Sequence, residues 1–331
     1  MLLQEINVCV DSGKGFTKFL TKDPQTHEYV KSLFHTRLQK IENIGFEVSR
    51  NSYLVEFKKE SWLVGDMLSG NSINVDLTKK TLEHLICINL AICNAIRMTR
   101  KNVGIFSVNL AVNVPLSIFK NQSLKKQYED FIRQEGKTIH LTVNGEHFLF
   151  IINNLVLIQE GLGSLFVRQN DFRDKRVIQV DIGTLNVTVS SFNQLVPQYD
   201  SNFSNNHGTH TLLSHLREKL SSHYGIAVHA KDMEQIIKDG ILIIEGERME
   251  DSTSIIQEAM MNHAKEIVAS IKSHISLNNA EIVFVGGGSL LLREQLQTLL
   301  PHATFEPDPQ FATLKSFHRI LEAKLHHAKK A

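Results

Sequence analysis

Two apolar stretches of the sequence each end in the pattern Asp-x-Gly and are followed by a second stretch of strand-forming residues. The first runs from Val8 to Leu20 (VCVDSGKGFTKFL), and the second from Val177 to Phe192 (VIQVDIGTLNVTVSSF). A short β-branched run that stops at an acid and a glycine is typical of a buried strand that enters a tight turn. We therefore predict two hairpins that form an internal repeat, each opening one domain and facing the other across a cleft.

The residues of the two turns favour phosphate and metal binding. The second turn combines the acid Asp181 with backbone amides left uncovered at Gly183 and with the hydroxyl of Thr184. Such a set suits a phosphate with a hydrated magnesium ion. The first turn adds a second glycine, Gly15, and a cation, Lys18. Because Asp-x-Gly is a common sequence, two unrelated β-turns are the alternative interpretation of either hairpin alone.

Elsewhere the periodicity predicts a mixture of strands and helices. Strand patterns cover 29–34, 53–57, 61–65, 103–114, 138–143, 147–152, 155–158 and 282–285. Helical patterns cover 78–97, 124–133, 212–220, 232–239, 254–275 and 311–324. Thr78 or Thr81 can cap the first of these helices. The dipeptide Asn144-Gly145 favours a type I′ hairpin turn, and a further helix of small residues is predicted directly after Gly161.

Two further motifs could contribute to a nucleotide site. Glu160 follows a predicted strand, where it could orient a water molecule; the alternative is an acid that stabilises the start of a helix. The stretch from Glu281 to Leu292 (EIVFVGGGSLLL) predicts a strand, three glycines and a helix that starts at Ser289. Three glycines allow close approach by a flat or anionic ligand. The spacing matches neither the dinucleotide fingerprint nor the P-loop.

Weaker signals lie between these motifs. Gly208 and Thr209 begin a predicted helix, where a ribose or a phosphate could bind, although an ordinary capped helix is the alternative. Lys231 and Glu234 lie in a region that could reach a nucleoside.

Composition narrows the class of protein. A chain of 331 residues is long enough for two domains, and its net charge of +1 gives no reason to expect direct nucleic-acid binding. Cys9, Cys87 and Cys93 have apolar neighbours and no metal-ligand spacing, so we predict reduced core thiols. Neither a signal peptide nor a membrane-spanning run is apparent. These features predict a cytoplasmic protein without a membrane segment.

The ordered set of motifs resembles the actin/Hsp70/sugar-kinase ATPase superfamily. The set comprises the first Asp-x-Gly hairpin, Glu160, the second hairpin with its Asp-x-Gly-Thr turn, and the late strand-Gly-Gly-Gly-helix. This resemblance implies an α/β fold with two ribonuclease-H-like domains and a nucleotide cleft between them. It places the first domain at 1–160, with the C-terminal helix 311–331 returning to it, and the second domain at 161–310.

The resemblance also implies roles for individual residues. Asp11 and Asp181 would hold Mg²⁺ through water, and Glu160 would orient the attacking water. The residues implied to contact ATP or ADP are Ser12, Gly13, Lys14, Gly15, Phe16 and Lys18 in the first turn, Gly183, Thr184, Leu185 and Asn186 in the second turn, and Gly208, Thr209, Lys231, Glu234, Gly286, Gly287, Gly288 and Ser289 in the later elements.

Within the superfamily the chain most resembles the bacterial plasmid-segregation actins of the ParM/StbA type. The resemblance rests on its length and on the stretches DSGKGFTK, QEG and VGGGSLLL. It implies a filament-forming ATPase, with GTP as a possible substrate, that self-associates and reaches plasmid DNA through an adaptor protein. ATP would close the cleft and promote polymerisation, and hydrolysis would destabilise the filament. A soluble small-molecule kinase or phosphatase of the same fold is the alternative.

One stretch departs from the pattern of these relatives. Their last helix commonly carries small residues where it crosses the interdomain region, whereas here Lys315 and His318 are large.

Overall fold

A computed structural model describes residues 3–42, 47–68, 79–99, 104–162 and 164–328. The chain divides into two compact units. The N-terminal unit consists of Met1–Val167 with Thr313–Ala331, and the C-terminal unit consists of Arg168–Ala312. The domain limits expected from the sequence, 1–160 with 311–331 and 161–310, stay a prediction.

One mixed sheet organises the N-terminal unit. Its strands are β1 Gln4–Ser12, β2 Phe16–Lys22, β3 Tyr29–His35, β4 Leu38–Ile41, β5 Ser52–Phe57, β6 Glu60–Gly65, β7 Ile105–Val114, β8 Ile139–Val143 and β9 Glu146–Gln159. They lie in the order β3-β2-β1-β7-β9-β8-β5-β6-β4. Strands β1, β2 and β3 pair antiparallel, whereas β1, β7 and β9 are parallel. Because parallel strands end at the same edge of a sheet, the carboxyl ends of β1, β7 and β9 lie side by side.

The strands of the C-terminal unit are β10 Arg176–Ile182, β11 Val187–Asn193, β12 Val196–Pro197, β13 Phe203–Asn205, β14 Leu242–Ile244, β15 Glu247–Met249, β16 Glu281–Val285 and β17 Thr304–Phe305. The main sheet has the order β12-β11-β10-β16-β17, and β13 also pairs with β11. Strands β10 and β11 form an antiparallel hairpin, and β10, β16 and β17 are parallel.

This sheet repeats the sequence of pairings found in β3-β2-β1-β7-β9 of the N-terminal unit. The repeat confirms the α/β fold with two ribonuclease-H-like halves, and it confirms that the two Asp-x-Gly stretches are equivalent hairpins.

The α-helices are α1 Leu82–Thr99, α2 Leu116–Lys120, α3 Gln122–Arg133, α4 Gln169–Phe172, α5 Thr209–Tyr224, α6 Met233–Asp239, α7 Ser252–His274, α8 Gly287–Leu291, α9 Arg293–Leu299 and α10 Ala312–Ala328. Helix α1 is buried from His84 to Ile96 and packs on β1 and β2. The Thr81 hydroxyl accepts a hydrogen bond from the His84 N–H at 3.2 Å, which confirms Thr81 as its cap. Thr78 lies outside the described residues.

Three sequence-based expectations differ from the structure. The patterns 147–152 and 155–158 belong to one strand, β9, which continues past Asn153 through a bulge opposite β7. The helix expected directly after Gly161 is wrong, because a short 3-10 turn at Ser164–Phe166 and then α4 follow instead. The helix expected from Ser289 begins at Gly287 and is interrupted at Leu292, after which α9 starts.

The sequence also led to expectations about the cysteines and about membrane-spanning segments. All three thiols are free and buried, as predicted, and burial raises the pKa of Cys87 to about 12. Across the described ranges, no helix combines the length and the apolar character that crossing a bilayer requires.

Candidate nucleotide site

The two Asp-x-Gly hairpins close with the same turn. The Gly13 N–H donates to the Phe16 carbonyl at 3.0 Å, and the Gly183 N–H donates to the Asn186 carbonyl at 2.9 Å. A β-carbon on Gly13 would lie 2.9 Å from the Phe16 oxygen. Any larger residue at the position of Gly13 would therefore push the turn open. Both hairpins thus present an acid at the end of a strand, followed by a tight four-residue loop.

In the N-terminal unit, Asp11 lies between a cation and an amide. Lys18 lies opposite Asp11 in the hairpin, and its Nζ is 3.2 Å from Asp11 Oδ2. Asn113, the second-to-last residue of β7, donates from Nδ2 to Asp11 Oδ1 at 2.7 Å. Both oxygens of this carboxylate therefore have donors, which fixes its orientation at the carboxyl edge of the sheet.

Glu160 reaches the same edge from the end of β9. Its N–H donates to the Val114 carbonyl at 2.9 Å, so its backbone continues the pairing of β7 with β9. Its side-chain Oε1 accepts from Asn113 Nδ2 at 3.3 Å and forms an ion pair with Lys79. The side chain is bound by an amide and a cation of its own unit. The structure gives no support to Glu160 as an acid at a helix start, because the next α-helix begins only at Gln169.

A buried polar network lies beneath the first turn. Ser12 Oγ lies 3.3 Å from Thr17 Oγ1 and 3.2 Å from His84 Nδ1, and His84 Nε2 lies 2.7 Å from the Tyr128 hydroxyl. Burial, followed by the charges of Lys79 and Lys14, holds the pKa of His84 well below its usual value, so the imidazole is neutral. Its two nitrogens therefore act as one donor and one acceptor.

Ser12, which we expected to contact the nucleotide, faces this interior network and is 1% exposed. The other predicted residues of the loop, Lys14, Gly15 and Phe16, are partly exposed. The Gly15 carbonyl accepts from the Thr36 N–H at 2.9 Å, and the Phe16 ring packs on His35 with centroids 4.2 Å apart. Contacts from the end of β3 and from Thr36 therefore support the loop from one side.

In the C-terminal unit, the start of α5 holds the second turn. The N–H groups of Gly208, Thr209 and His210 donate to the carbonyls of Leu185, Gly183 and Thr184, at 3.1, 3.0 and 2.8 Å. A β-carbon on Gly208 would lie 2.6 Å from the Leu185 oxygen, so only glycine allows this approach. These backbone amides are bound to the loop, which makes the helix start a support for the turn.

Two of the three glycines after β16, Gly286 and Gly288, pack directly on the second hairpin. Gly286 has φ of +86°, and a β-carbon there would overlap the Asp181 carboxylate and lie 2.5 Å from the Ile182 oxygen. A β-carbon on Gly288 would overlap the Ile182 side chain. Ser289 is buried, and its hydroxyl donates to the Gly286 carbonyl at 2.8 Å. The structure thus brings the predicted glycine motif against the predicted acid.

Lys231 and Glu234 lie elsewhere in the C-terminal unit. Both are exposed, on the 3-10 turn Ala230–Asp232 and in the first turn of α6. These two elements pack against α5. Their predicted contact with a nucleoside stays a prediction.

Comparison with known proteins places this arrangement in a family. Residues 9–163 match the family model "Actin like proteins N terminal domain", and residues 178–298 match "Archaeal actin homologue MreB-like, C-terminal". The chain belongs to the actin-like superfamily. This membership confirms the resemblance inferred from the ordered motifs.

Solved actin-like structures share the fold at low sequence identity. The archaeal actin homologue Ta0583 superposes with a TM-score of 0.78 at 19% identity, covering 96% of this chain and 99% of that chain, and it has also been solved in complex with ADP. ParM from a 15-stranded filament of Clostridium botulinum gives 0.76 at 14%, covering 97% and 100%. The Alp12 filament structure gives 0.68 at 23%, covering 97% and 99%. A search of curated protein sequences found no match.

The donor set of this actin-like chain fits a magnesium nucleotide. In the part of the chain that the structure describes, no group of three or more His, Cys, Asp or Glu side chains could hold a metal ion alone. Magnesium bound with phosphates keeps several waters and needs only one or two protein carboxylates. Asp11 in the N-terminal unit and Asp181 in the C-terminal unit each provide one such carboxylate, at the end of a parallel strand.

Sequence reasoning missed Asn113 and Lys79. The only local signal for Asn113 was its polarity near the end of a mainly apolar strand, two residues before Pro115. Lys79 carried no signal, since it lies at the start of the predicted helical stretch 78–97, where a lysine is an ordinary residue.

Proposed function

We propose that this protein is a nucleotide-dependent, filament-forming ATPase. The observation that carries the proposal is the repeated hairpin, which places Asp11 and Asp181 at equivalent positions before identical tight turns. Two acids that precede glycine turns, one in each half of the chain, suit a magnesium triphosphate better than they suit two unrelated structural turns.

In this proposal each residue has a defined task. Asp11 and Asp181 hold Mg²⁺ through water. The N–H groups of Gly13 and Gly183 close the two turns, and the remaining amides of the loops 13–16 and 183–186 face the phosphates. Bound Mg²⁺ neutralises negative charge on the phosphates and so promotes attack by water. Glu160, held by Asn113 and Lys79, orients that water. The stretch from Gly286 to Ser289 faces the nucleoside in this proposal.

The likeness to proteins solved as filaments supports self-association as the output. We propose that the triphosphate state favours subunit addition and that hydrolysis weakens the filament contacts, as in other γ-phosphate switches. The subunits would join by a heterologous contact that does not close into a ring. Plasmid DNA, reached through an adaptor protein in the cytoplasm, is the cargo that we propose.

Right-angle light scattering combined with sedimentation tests the proposal. Purified protein is compared with Mg-ATP, Mg-GTP, Mg-ADP and no nucleotide, while phosphate release is followed in the same sample. We expect scattering to rise with ATP above a critical protein concentration and to decay as phosphate appears. Nucleotide turnover without any scattering over a wide concentration range would contradict filament formation, and a search for a phosphate acceptor would then test the kinase alternative.

A further inference from the structure

Asn113 occupies a central position at the carboxyl edge of the N-terminal sheet. Its strand, β7, lies between β1, which ends near Asp11, and β9, which leads into Glu160. The amide Nδ2 has two hydrogens, and it donates to Asp11 at 2.7 Å and to Glu160 at 3.3 Å. A flipped amide would place its oxygen against two carboxylates, so the contacts themselves fix the orientation.

The amide oxygen of Asn113 differs in its hydrogen bonding from that of Asn109, which lies on the same strand. Four residues earlier on β7, Asn109 bridges the same three strands: it donates to Asn7 Oδ1 at 2.9 Å and accepts from Asn154 Nδ2 at 2.8 Å. Asn113 is equally buried, with 5% exposure against 4%, yet its Oδ1 has no hydrogen-bond partner among the described residues. A buried carbonyl oxygen without a donor is costly unless water or a ligand supplies one.

Glu160 is held asymmetrically. Its Oε1 receives both Asn113 and the buried cation Lys79, whereas no described residue donates to Oε2. Lys79 is a costly residue to place here, because its side chain is 8% exposed and its backbone has φ of +49°. One oxygen of the carboxylate is therefore fixed, and the other remains available as an acceptor.

We propose that Asn113 is a positioning residue for hydrolysis. It fixes Glu160, with Lys79 on the same oxygen, at a set distance from the metal-holding Asp11. Its own Oδ1 is a second acceptor for the water that Glu160 orients. The proposal rests on the proposed ATPase function and adds a residue that links its two carboxylates. Asparagine suits this position because a donor is needed between two acids, whereas an aspartate would add a third negative charge.

The variant Asn113→Ala tests the proposal, and Asn109→Ala is its matched control. Single-turnover ATP cleavage, the affinity for a fluorescent ATP analogue and the unfolding midpoint are measured for both. We expect Asn113→Ala to cleave ATP roughly tenfold to a hundredfold more slowly, as for other residues that orient a primary ligand, with nucleotide affinity kept within about threefold. Asn109→Ala loses two hydrogen bonds, so its midpoint should fall at least as far, while its cleavage rate stays near wild type.

A double-mutant cycle separates positioning from general packing. If Asn113 and Glu160 act on the same water, Asn113→Ala should slow a Glu160→Gln protein far less than it slows the wild type, and the effects on the unfolding midpoint of the nucleotide-free protein should also be non-additive. The role of Asn113 would be overturned if the rate losses of the two single variants multiplied in the double variant, or if Asn113→Ala cleaved ATP at the wild-type rate. Either result would leave the ATPase function standing. A wild-type protein that binds no nucleotide would overturn the proposed function, and this role with it.

Discussion

The two halves of the molecule use the same backbone at the hairpins but support it by different means. In the N-terminal unit the strand next to β1 places Asn113 beside Asp11, whereas in the C-terminal unit the strand next to β10 places Val285 opposite Asp181 and then turns at Gly286. Beneath the turns, hydroxyls and an imidazole support the first hairpin, and glycine contacts support the second.

This difference shows that an internal repeat preserves geometry and leaves the chemistry free to diverge. Ser12 and Ile182 occupy equivalent positions, and both are buried, but one is hydrogen-bonded and the other packs under Gly288. Substitutions around the first hairpin should therefore act on charge and hydrolysis. Substitutions around the second should act first on packing.

The largest effect is expected where the C-terminal unit is tightest. Gly286→Ala would force a β-carbon onto the Asp181 carboxylate at a positive φ, so we expect a loss of about 3 kcal/mol in the free energy of unfolding. Urea denaturation measures this loss. Gly287→Ala is the control, because its β-carbon would meet only the flexible Gln310 side chain at 3.2 Å, and its effect should stay within about 1 kcal/mol. Equal effects of the two variants would refute the packing argument.

The next effect concerns the acid that follows the last parallel strand of each sheet. Glu160 follows β9 beside Lys79, and Glu306 follows β17 with Arg168 at 3.4 Å. Glu160→Ala should keep ATP binding and assembly but slow hydrolysis about a hundredfold, giving filaments that persist. Phosphate release and sedimentation measure these outcomes.

Glu306→Gln is the control for Glu160→Ala, because it alters the corresponding acid of the other sheet. It should change stability without changing hydrolysis. Hydrolysis at the wild-type rate by Glu160→Ala would show that Glu160 is not the water-orienting residue.

A smaller effect is expected for the polar network under the first hairpin. Ser12→Ala removes the hydroxyl that contacts Thr17 and His84, leaving both groups buried with one partner fewer. We expect a loss of about 2 kcal/mol in the free energy of unfolding. Ile182→Val, the matched change in the second hairpin, removes one methylene and should cost about 1 kcal/mol. The reverse ranking would mean that the network contributes little.

The smallest effect is the contribution of His84, in the N-terminal unit, to the pH dependence of stability. Burial lowers the pKa of His84 below its usual 6.5, so the unfolded chain binds a proton that the folded chain does not. The free energy of unfolding therefore keeps its full value above about pH 6.5. It falls as the pH drops below that value, by at most about 1.4 kcal/mol per pH unit for this histidine.

In His84→Gln the unfolding midpoint should fall less between pH 7 and pH 5 than in the wild type. Burial also lowers the pKa values of His263 and His318, so part of the slope should remain. An unchanged slope would contradict the assignment to His84.

Local patterns in the sequence predicted the hairpins and the glycine motif because each depends on adjacent residues. Alternating apolar residues and a glycine turn specify β10 and β11 without reference to distant parts of the chain. The contact of Asn113 with Asp11 joins residues 102 positions apart and depends on the parallel pairing of β1 with β7. That pairing cannot be read from one sequence, so the residue was missed.

The errors have a similar origin. Two adjacent asparagines, Asn153 and Asn154, interrupt the apolar pattern and made β9 resemble two elements. The small residues after Gly161 are compatible with a helix, but Gly161 adopts φ of +81°, which sends the chain out of helical geometry. In both places the sheet and the backbone turn outweigh local propensity.

The bulge in β9 has a consequence for the direction in which Glu160 points. Opposite β7, Ile152 pairs with Val108 and Asn154 with Asn109, so Asn153 is the extra residue, and its carbonyl accepts from Arg133 at 2.9 Å. Side chains alternate between the faces of a strand, so one inserted residue reverses the phase of all that follow. The exposed Asn153, seven positions before Glu160, therefore determines the face of the sheet on which the Glu160 side chain lies.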